Sequence, residues 1–224
     1  MTKDSYITSA VSQDSLEIPL IDFSTFLSPD TSSEAKTMAA RAILSGFKTA
    51  GFIYLRNYGI SKPIVEQTFS ESAGFFARPQ SQKDALAWTT PEANRGYVAQ
   101  GREKVTDATD ADEIEQLRAA EGEDIKESLE IGREGEFNHP NHWPEVDGEA
   151  FKARMLDFFE RCKTLHVQVM RAIAVGLGID ERWFDEYCDV GDNTLRLLHY
   201  PAVAASEFKK HEGRVRAGAH TDYG

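Results

Sequence analysis

Apolar residues recur every three or four positions over long stretches of this chain and alternate over shorter ones, a pattern that predicts a mixture of helices and strands. Ile18-Pro-Leu-Ile-Asp-Phe23 reads as a first strand, with Pro19 at its start, where a missing N–H matters least. Thr31-Ser-Ser-Glu34 has the pattern of a helix capping box. Behind it Ala39, Ile43 and Phe47, with Ala40 and Leu44 beside them, follow at helical spacing, and Gly51 stands where a C′ glycine belongs. Phe52–Leu55 predicts a second strand, closed by a turn at Asn57-Tyr-Gly59. Ser61 and Pro63 open another helix, with Phe69, Ala73 and Phe76 as its apolar stripe and Pro79 as its stop. Gly96–Ala99 reads as a strand.

Further on, Glu127, Leu129 and Ile131 alternate with Ser128, Glu130 and Gly132, which predicts a strand over 126–132. Asn138-His-Pro-Asn-His-Trp-Pro144 is a loop by its prolines and asparagines. Its His139 and His142 have no helix to align them and no Cys or carboxylate nearby, so they read as loop residues rather than as a metal pair. The strongest helix runs through Phe151, Met155, Phe158, Cys162, Leu165, Val169, Ile173 and Leu177, and Gly176 and Gly178 mark its end. A stripe that long implies a large apolar backing, a sheet. Cys162 then reads as a small buried hydrophobe and His166, beside the stripe, as a hydrogen-bonded structural histidine. Trp183, Phe184 and Tyr187 form a short aromatic helix. Thr194-Leu-Arg-Leu-Leu-His-Tyr200 is the clearest strand, ended by Pro201. Leu195, Leu197 and His199 share one of its faces; Arg196, Leu198 and Tyr200 share the other. A loop through Lys209-Lys210-His211 leads to a last extended segment, Arg216–Gly224.

Composition narrows the function classes. With 224 residues, 41% hydrophobic and 28% charged, the chain reads as ordinary soluble globular protein, one large domain or two small ones. A formal net charge of -12 argues against nucleic acid as a partner. Met1–Ser15 lacks an apolar core and no later window approaches a membrane span, so no membrane partner is expected. Cys162 and Cys188, the only cysteines, suit neither a CxxC motif nor a disulfide framework, which points to a reducing, cytoplasmic setting. The acidic run over 106–124 reads as a solvated excursion rather than a cation site. No Gly-rich phosphate loop and no Ser or Cys nucleophile motif is present.

The candidate chemistry lies in Gly218-Ala-His-Thr-Asp-Tyr-Gly224. In a strand, residues i and i+2 point the same way, so His220 and Asp222 can grip one metal ion. An imidazole and a carboxylate are two of the three ligands in the 2-His-1-carboxylate triad of non-haem Fe(II) sites. The third must come from elsewhere. A zinc-hydrolytic site completed by His199 or His211 is the competing reading; strand parity sets His199 opposite Tyr200, and His211 lies in a loop.

Several stretches in this order resemble the isopenicillin N synthase-like branch of the 2-oxoglutarate- and Fe(II)-dependent dioxygenases. They are Ile18–Phe23, Gly51-Phe-Ile-Tyr-Leu-Arg-Asn-Tyr-Gly-Ile60, Arg95-Gly-Tyr97, Lys126–Gly132, Asn141-His-Trp-Pro144, Leu195-Arg-Leu-Leu-His-Tyr-Pro201 and Gly218–Gly224. The resemblance implies an α+β fold in which N-terminal helices and strands pack on the first part of a double-stranded β-helix, or jelly roll. It divides the chain into a tail (1–16), an N-terminal dioxygenase region (17–135), a helical support (136–192) and the start of the jelly roll (193–224). It implies Fe(II) held by His220 and Asp222, with 2-oxoglutarate as cosubstrate and its carboxylate hydrogen-bonded by Tyr200. The asparagine often found two residues before that tyrosine is Leu198 here, and Tyr58 replaces the usual histidine of the N-terminal motif. The reaction implied is hydroxylation, desaturation or ring closure of a small organic substrate with O₂, in secondary metabolism. In family members the second histidine ligand and an Arg-x-Ser pair that anchors 2-oxoglutarate fall beyond the position of Gly224. A jelly roll also needs about eight strands. The 224 residues are therefore expected to carry an incomplete barrel, whose open edges invite self-association. Taken as a whole product, they would instead be a truncated, non-catalytic remnant.

Overall fold

The computed structural model describes residues 17–89, 93–100 and 125–204. The N-terminal tail, the acidic run over 106–124, the loop at Lys209–His211 and the His220–Asp222 segment lie outside the described residues. Packing groups the described residues into two units. One joins the residues up to Glu66 with Asp157–Asp192; the other joins Gln67–Leu156 with the residues from Asn193 on.

In the first unit, β1 (Leu20–Asp22) pairs in parallel with β2 (Tyr54–Arg56). Between them come a single helical turn, α1 (Ser24–Leu27), and the longer α2 (Ser33–Ala50). The cap of α2 is Ser32, one residue later than the capping-box pattern suggests: its Oγ accepts from the Ala35 N–H at 3.2 Å. Gly51 ends the helix at φ 73, donating its N–H to Phe47 O, as a C′ glycine does. Phe23, Phe26, Ala40 and Ile43 form the buried core with Ile21 and with Ala172 of the long helix α5 (Gly148–Leu177). Leu165, Val169 and Ile173 pack against that core. Along this part of α5 the backing is therefore helix α2 rather than a sheet. Gly176 makes the approach possible: a Cβ there would sit 2.8 Å from Ala40 O. It is a contact residue, and Gly178, at φ 76, terminates the helix. The guanidinium of Arg171 clasps Asp185 on the short α6 (Asp185–Cys188) through two bonds, 2.9 and 2.7 Å. Of the expected aromatic helix only Tyr187 is helical; Trp183 and Phe184 lie in the turn before it, with the Trp183 ring edge-on to Phe184 and close to Tyr187. His166 is exposed rather than built into the structure. Cys162 is half-buried and burial pushes its thiol pKa up, in keeping with an inert side chain.

The second unit contains a three-stranded antiparallel sheet, β3 (Gly96–Val98), β4 (Glu127–Gly132) and β5 (Thr194–His199), with β4 in the middle. Leu129 faces Tyr97 on one side and Leu197 on the other. Against this sheet pack Phe75 and Phe76 from α3 (Lys62–Phe76), Leu86, and Phe151 and Met155 from the start of α5. The Phe75 ring stacks on Phe151 with centroids 5.5 Å apart. Two apolar assignments differ in part. On α3 the expected Phe76 is buried, but Phe69 is 73% exposed and Ala73 is exposed, and the helix buries Thr68 and Phe75 instead. On α5 Phe159 is buried in place of Phe158, which is half-buried. Pro79 does stop α3, but it also starts the short α4 (Gln80–Asp84). Among the described residues no helix is long and apolar enough to cross a membrane.

Candidate functional site

The site is organised by the two faces of the β3–β4–β5 sheet. On the core face Leu129 and Ile131 of β4 lie opposite Leu197 and Leu195 of β5, and Glu127 lies opposite His199 at the end of the ladder. The other face carries Ser128 opposite Leu198 and Glu130 opposite Arg196, followed by Tyr200 just past the last pair. Glu130 is 2% exposed and accepts from Arg196 Nε at 2.7 Å; the arginine side chain is itself more than one third exposed. Leu198 and Tyr200 stand exposed beside it. An acid fixed in place thus aims a guanidinium along the same face that ends in a phenol.

Behind that face lies a buried polar cluster. The Glu127 carboxylate, 3% exposed, accepts from Lys83 Nζ at 2.7 Å and from the Tyr97 hydroxyl through one oxygen. Its other oxygen meets His199 Nδ1 at 2.7 Å. Lys83 also donates to Phe76 O, and Gln80 Nε2 donates to the Tyr97 oxygen. The Phe76 ring stacks on the His199 imidazole, centroids 5.1 Å apart. Burial pushes the Glu127 pKa up, but hydrogen bonds from Lys83, Tyr97 and His199 outweigh it and hold the carboxyl below its ordinary range. An ionised carboxylate only accepts, so His199 carries its proton on Nδ1. Burial, together with the bond to Glu127, pushes the Tyr97 hydroxyl up to about 12. One carboxylate therefore ties β4 to β3, β5 and α4, and Lys83 extends the link to α3.

At the other end of β4 the stretches Arg95-Gly-Tyr97, Lys126–Gly132 and Asn141-His-Trp-Pro144 converge. The buried Arg95 guanidinium lies directly over Gly132 and donates to Ala93 O, Asn94 O and Glu136 Oε2 at 3.2, 2.9 and 3.0 Å. Asn141 closes a reciprocal pair with the Gly132 backbone, accepting its N–H at 2.8 Å and donating to its carbonyl at 2.9 Å. Gly96, at φ 103, has a backbone few side chains tolerate, and a Cβ there would fall 2.6 Å from Leu86 O. His142 Nδ1 lies 3.0 Å from that same carbonyl, a contact that ties the loop to it.

Of the residues singled out by sequence, Tyr200 is the first residue past β5 and is exposed, and His220 and Asp222 lie outside the described residues. Among the described residues no group of three or more His, Cys, Asp or Glu could hold a metal ion. His199, weighed as a zinc ligand, is engaged by Glu127 on the face opposite Tyr200. The exposed donors here, the Tyr200 phenol and the Arg196 guanidinium, fit an anionic or carbonyl-bearing ligand. Lys83 and the Glu127 cluster were not singled out by sequence; the available signal was that Glu127 and His199 fall in phase with apolar neighbours on their strands.

Residues 18–146 match the family model for the N-terminal region of the non-haem dioxygenase in morphine synthesis. A full-length protein of Neurospora crassa, solved in complex with alpha-KG and thymine, is 58% identical, with a TM-score of 0.84 over 96% of this chain and 65% of that one. The same Neurospora protein solved with alpha-KG and 5-formyluracil aligns at 51% identity and TM-score 0.81, over 98% of this chain and 63% of that one. The 2-oxoglutarate-Fe(II) type oxidoreductase ppzD of Metarhizium rileyi is 35% identical over 91% of this chain and 57% of its own length. The chain thus spans less than two thirds of these relatives.

Proposed function

Because the chain belongs to the 2-oxoglutarate- and Fe(II)-dependent oxygenases of the isopenicillin N synthase-like type, we propose that it serves an oxidation of the 5-methyl group of a pyrimidine base. The overall step consumes O₂ and 2-oxoglutarate and yields succinate, CO₂ and a hydroxymethyl group; further rounds would carry that carbon to the aldehyde. The observation that carries this reading is the 58% identity to a protein that binds thymine and also 5-formyluracil, two rings that differ only in the oxidation state of one carbon.

His220 and Asp222 are the residues that would hold Fe(II), which when bound supplies the capacity to activate O₂ for attack on an unreactive C–H bond. The described residues contribute binding and orientation. Tyr200, exposed just past the end of β5, supplies an O–H donor for a 2-oxoglutarate carboxylate. Arg196, two pairs back on the same face and fixed by the buried Glu130, supplies N–H donors suited to a pyrimidine carbonyl. A planar base with carbonyl acceptors and a cosubstrate with carboxylates match that donor set better than an apolar or cationic substrate does.

The test is anaerobic titration of the Fe(II)-loaded protein with 2-oxoglutarate, followed by turnover with thymine, uracil and free proline. Thymine alone should stimulate succinate formation and yield a product heavier by one oxygen. Succinate release indifferent to thymine, or stimulated equally by proline, would overturn the substrate assignment. Failure of the wild-type protein to bind 2-oxoglutarate would overturn the cosubstrate assignment.

A further inference from the structure

We infer that His199, clamped by Glu127, is a positioning residue for 2-oxoglutarate: it sets the orientation of Tyr200 from the opposite face of the sheet. The inference rests on the reading that Tyr200 meets the cosubstrate carboxylate. The pair Glu127–His199 is the last in the β4–β5 ladder, and Tyr200 is the first residue beyond it. The backbone of Tyr200 therefore takes its direction from that final pair.

That point is held unusually well. The Glu127 carboxylate is bound at one oxygen by Lys83 and Tyr97, which come from α4 and β3, and reaches His199 Nδ1 with the other at 2.7 Å. Phe76 stacks on one face of the imidazole, whose side chain stays 41% exposed, so both the ring plane and its in-plane direction are set. The cluster also explains the location of a charged group in a core: a neutral pair at this place could fill the space but would not direct an imidazole with a charge-assisted bond. Successive strand residues point to opposite faces, so rotation of the His199 side of the backbone carries the Tyr200 hydroxyl with it.

The experiment uses His199→Phe, which keeps a ring against Phe76 and removes the Nδ1–H, and His199→Asn, whose amide nitrogen takes the place of Nδ1. Dissociation constants for 2-oxoglutarate are measured anaerobically on the Fe(II)-loaded protein, with thermal melting as a check on folding. His199→Phe should weaken 2-oxoglutarate about tenfold, the scale of one charge-assisted hydrogen bond, and His199→Asn should restore it to within about twofold. In a Tyr200→Phe background the His199→Phe effect should disappear, because the group it positions is gone. In turnover, KM for 2-oxoglutarate should rise while KM for the pyrimidine holds. Should His199→Phe fail to fold, Glu127→Gln replaces it and should give the same selective loss. Unchanged affinity in a folded variant, or a loss equally large in the Tyr200→Phe background, would overturn the inference alone. A wild-type protein that binds no 2-oxoglutarate would overturn the functional reading beneath it.

Discussion

Gly132→Ala offers a sharp test of how β4 is built. Gly132 has an ordinary strand backbone, so only space requires the missing side chain. A methyl there would overlap Arg95 Cζ and Nη2. The guanidinium would have to leave a 5%-exposed position and give up its bonds to Asn94 O, Ala93 O and Glu136. A hydrogen bond to a charged group contributes about 1.5–3 kcal/mol, and a buried cation left without partners costs more. Glu136 is itself only partly buried, which lowers its share. The expected loss is about 3 kcal/mol, or a fall in Tm of about 6–12 °C for a chain of this size. Urea unfolding followed by far-ultraviolet circular dichroism measures it. The control is Arg95→Ala. In that background the clash is gone, and alanine in a strand should be neutral or stabilising by about 0.5 kcal/mol, because glycine loses more backbone freedom on folding. An equal loss from Gly132→Ala with and without Arg95 would refute the reasoning, as would a loss under about 0.5 kcal/mol in the parent chain.

Lys83→Met should destabilise the protein by about 3 kcal/mol in the same urea assay, since it leaves the Glu127 charge with only Tyr97 and His199; adding Glu127→Gln should recover part of the loss. Stability should also fall at both extremes of pH. The Glu127 contribution is complete above its unfolded value of 4.5 and is lost as pH falls through the lower native value. The Tyr97 contribution is complete below 10 and is lost as pH rises toward about 12, which denaturant midpoints across the pH range, compared with Tyr97→Phe, would resolve. Ser32→Ala should cost about 1 kcal/mol by removing the α2 cap, and Thr31→Ala should cost much less, because Ser32 holds the Ala35 N–H.

The strands and the long helix were legible because their signals are local. Strand parity alone separates Leu197 from Leu198, and the structure buries the first and exposes the second. The phase of α3 was harder to read: Phe69 and Phe76 stand seven residues apart on nearly one face, so spacing alone puts both on the apolar stripe. The sheet takes Phe75 and Phe76, and Phe69 is left outside. Lys83 gave no local signal: its partner Glu127 is brought to it by chain folding. Glu127 and His199 each break an apolar alternation on their own strand, and only the register of β4 with β5 turns two irregularities into one bond. Gly132 likewise reads as a weak strand residue until the guanidinium above it is placed.

The discontinuous make-up of the first unit bears on how the protein is born. Ala40 and Ile43 emerge from the ribosome early, yet Ala172, Leu165 and Val169, which complete their core, are synthesised far downstream. At usual elongation speeds that delay is on the order of ten seconds. Throughout it the nascent α2 segment, covered only by its early neighbours such as Phe23 and Phe26, lacks the apolar backing that α5 brings, a natural target for a chaperone that binds chains still in translation.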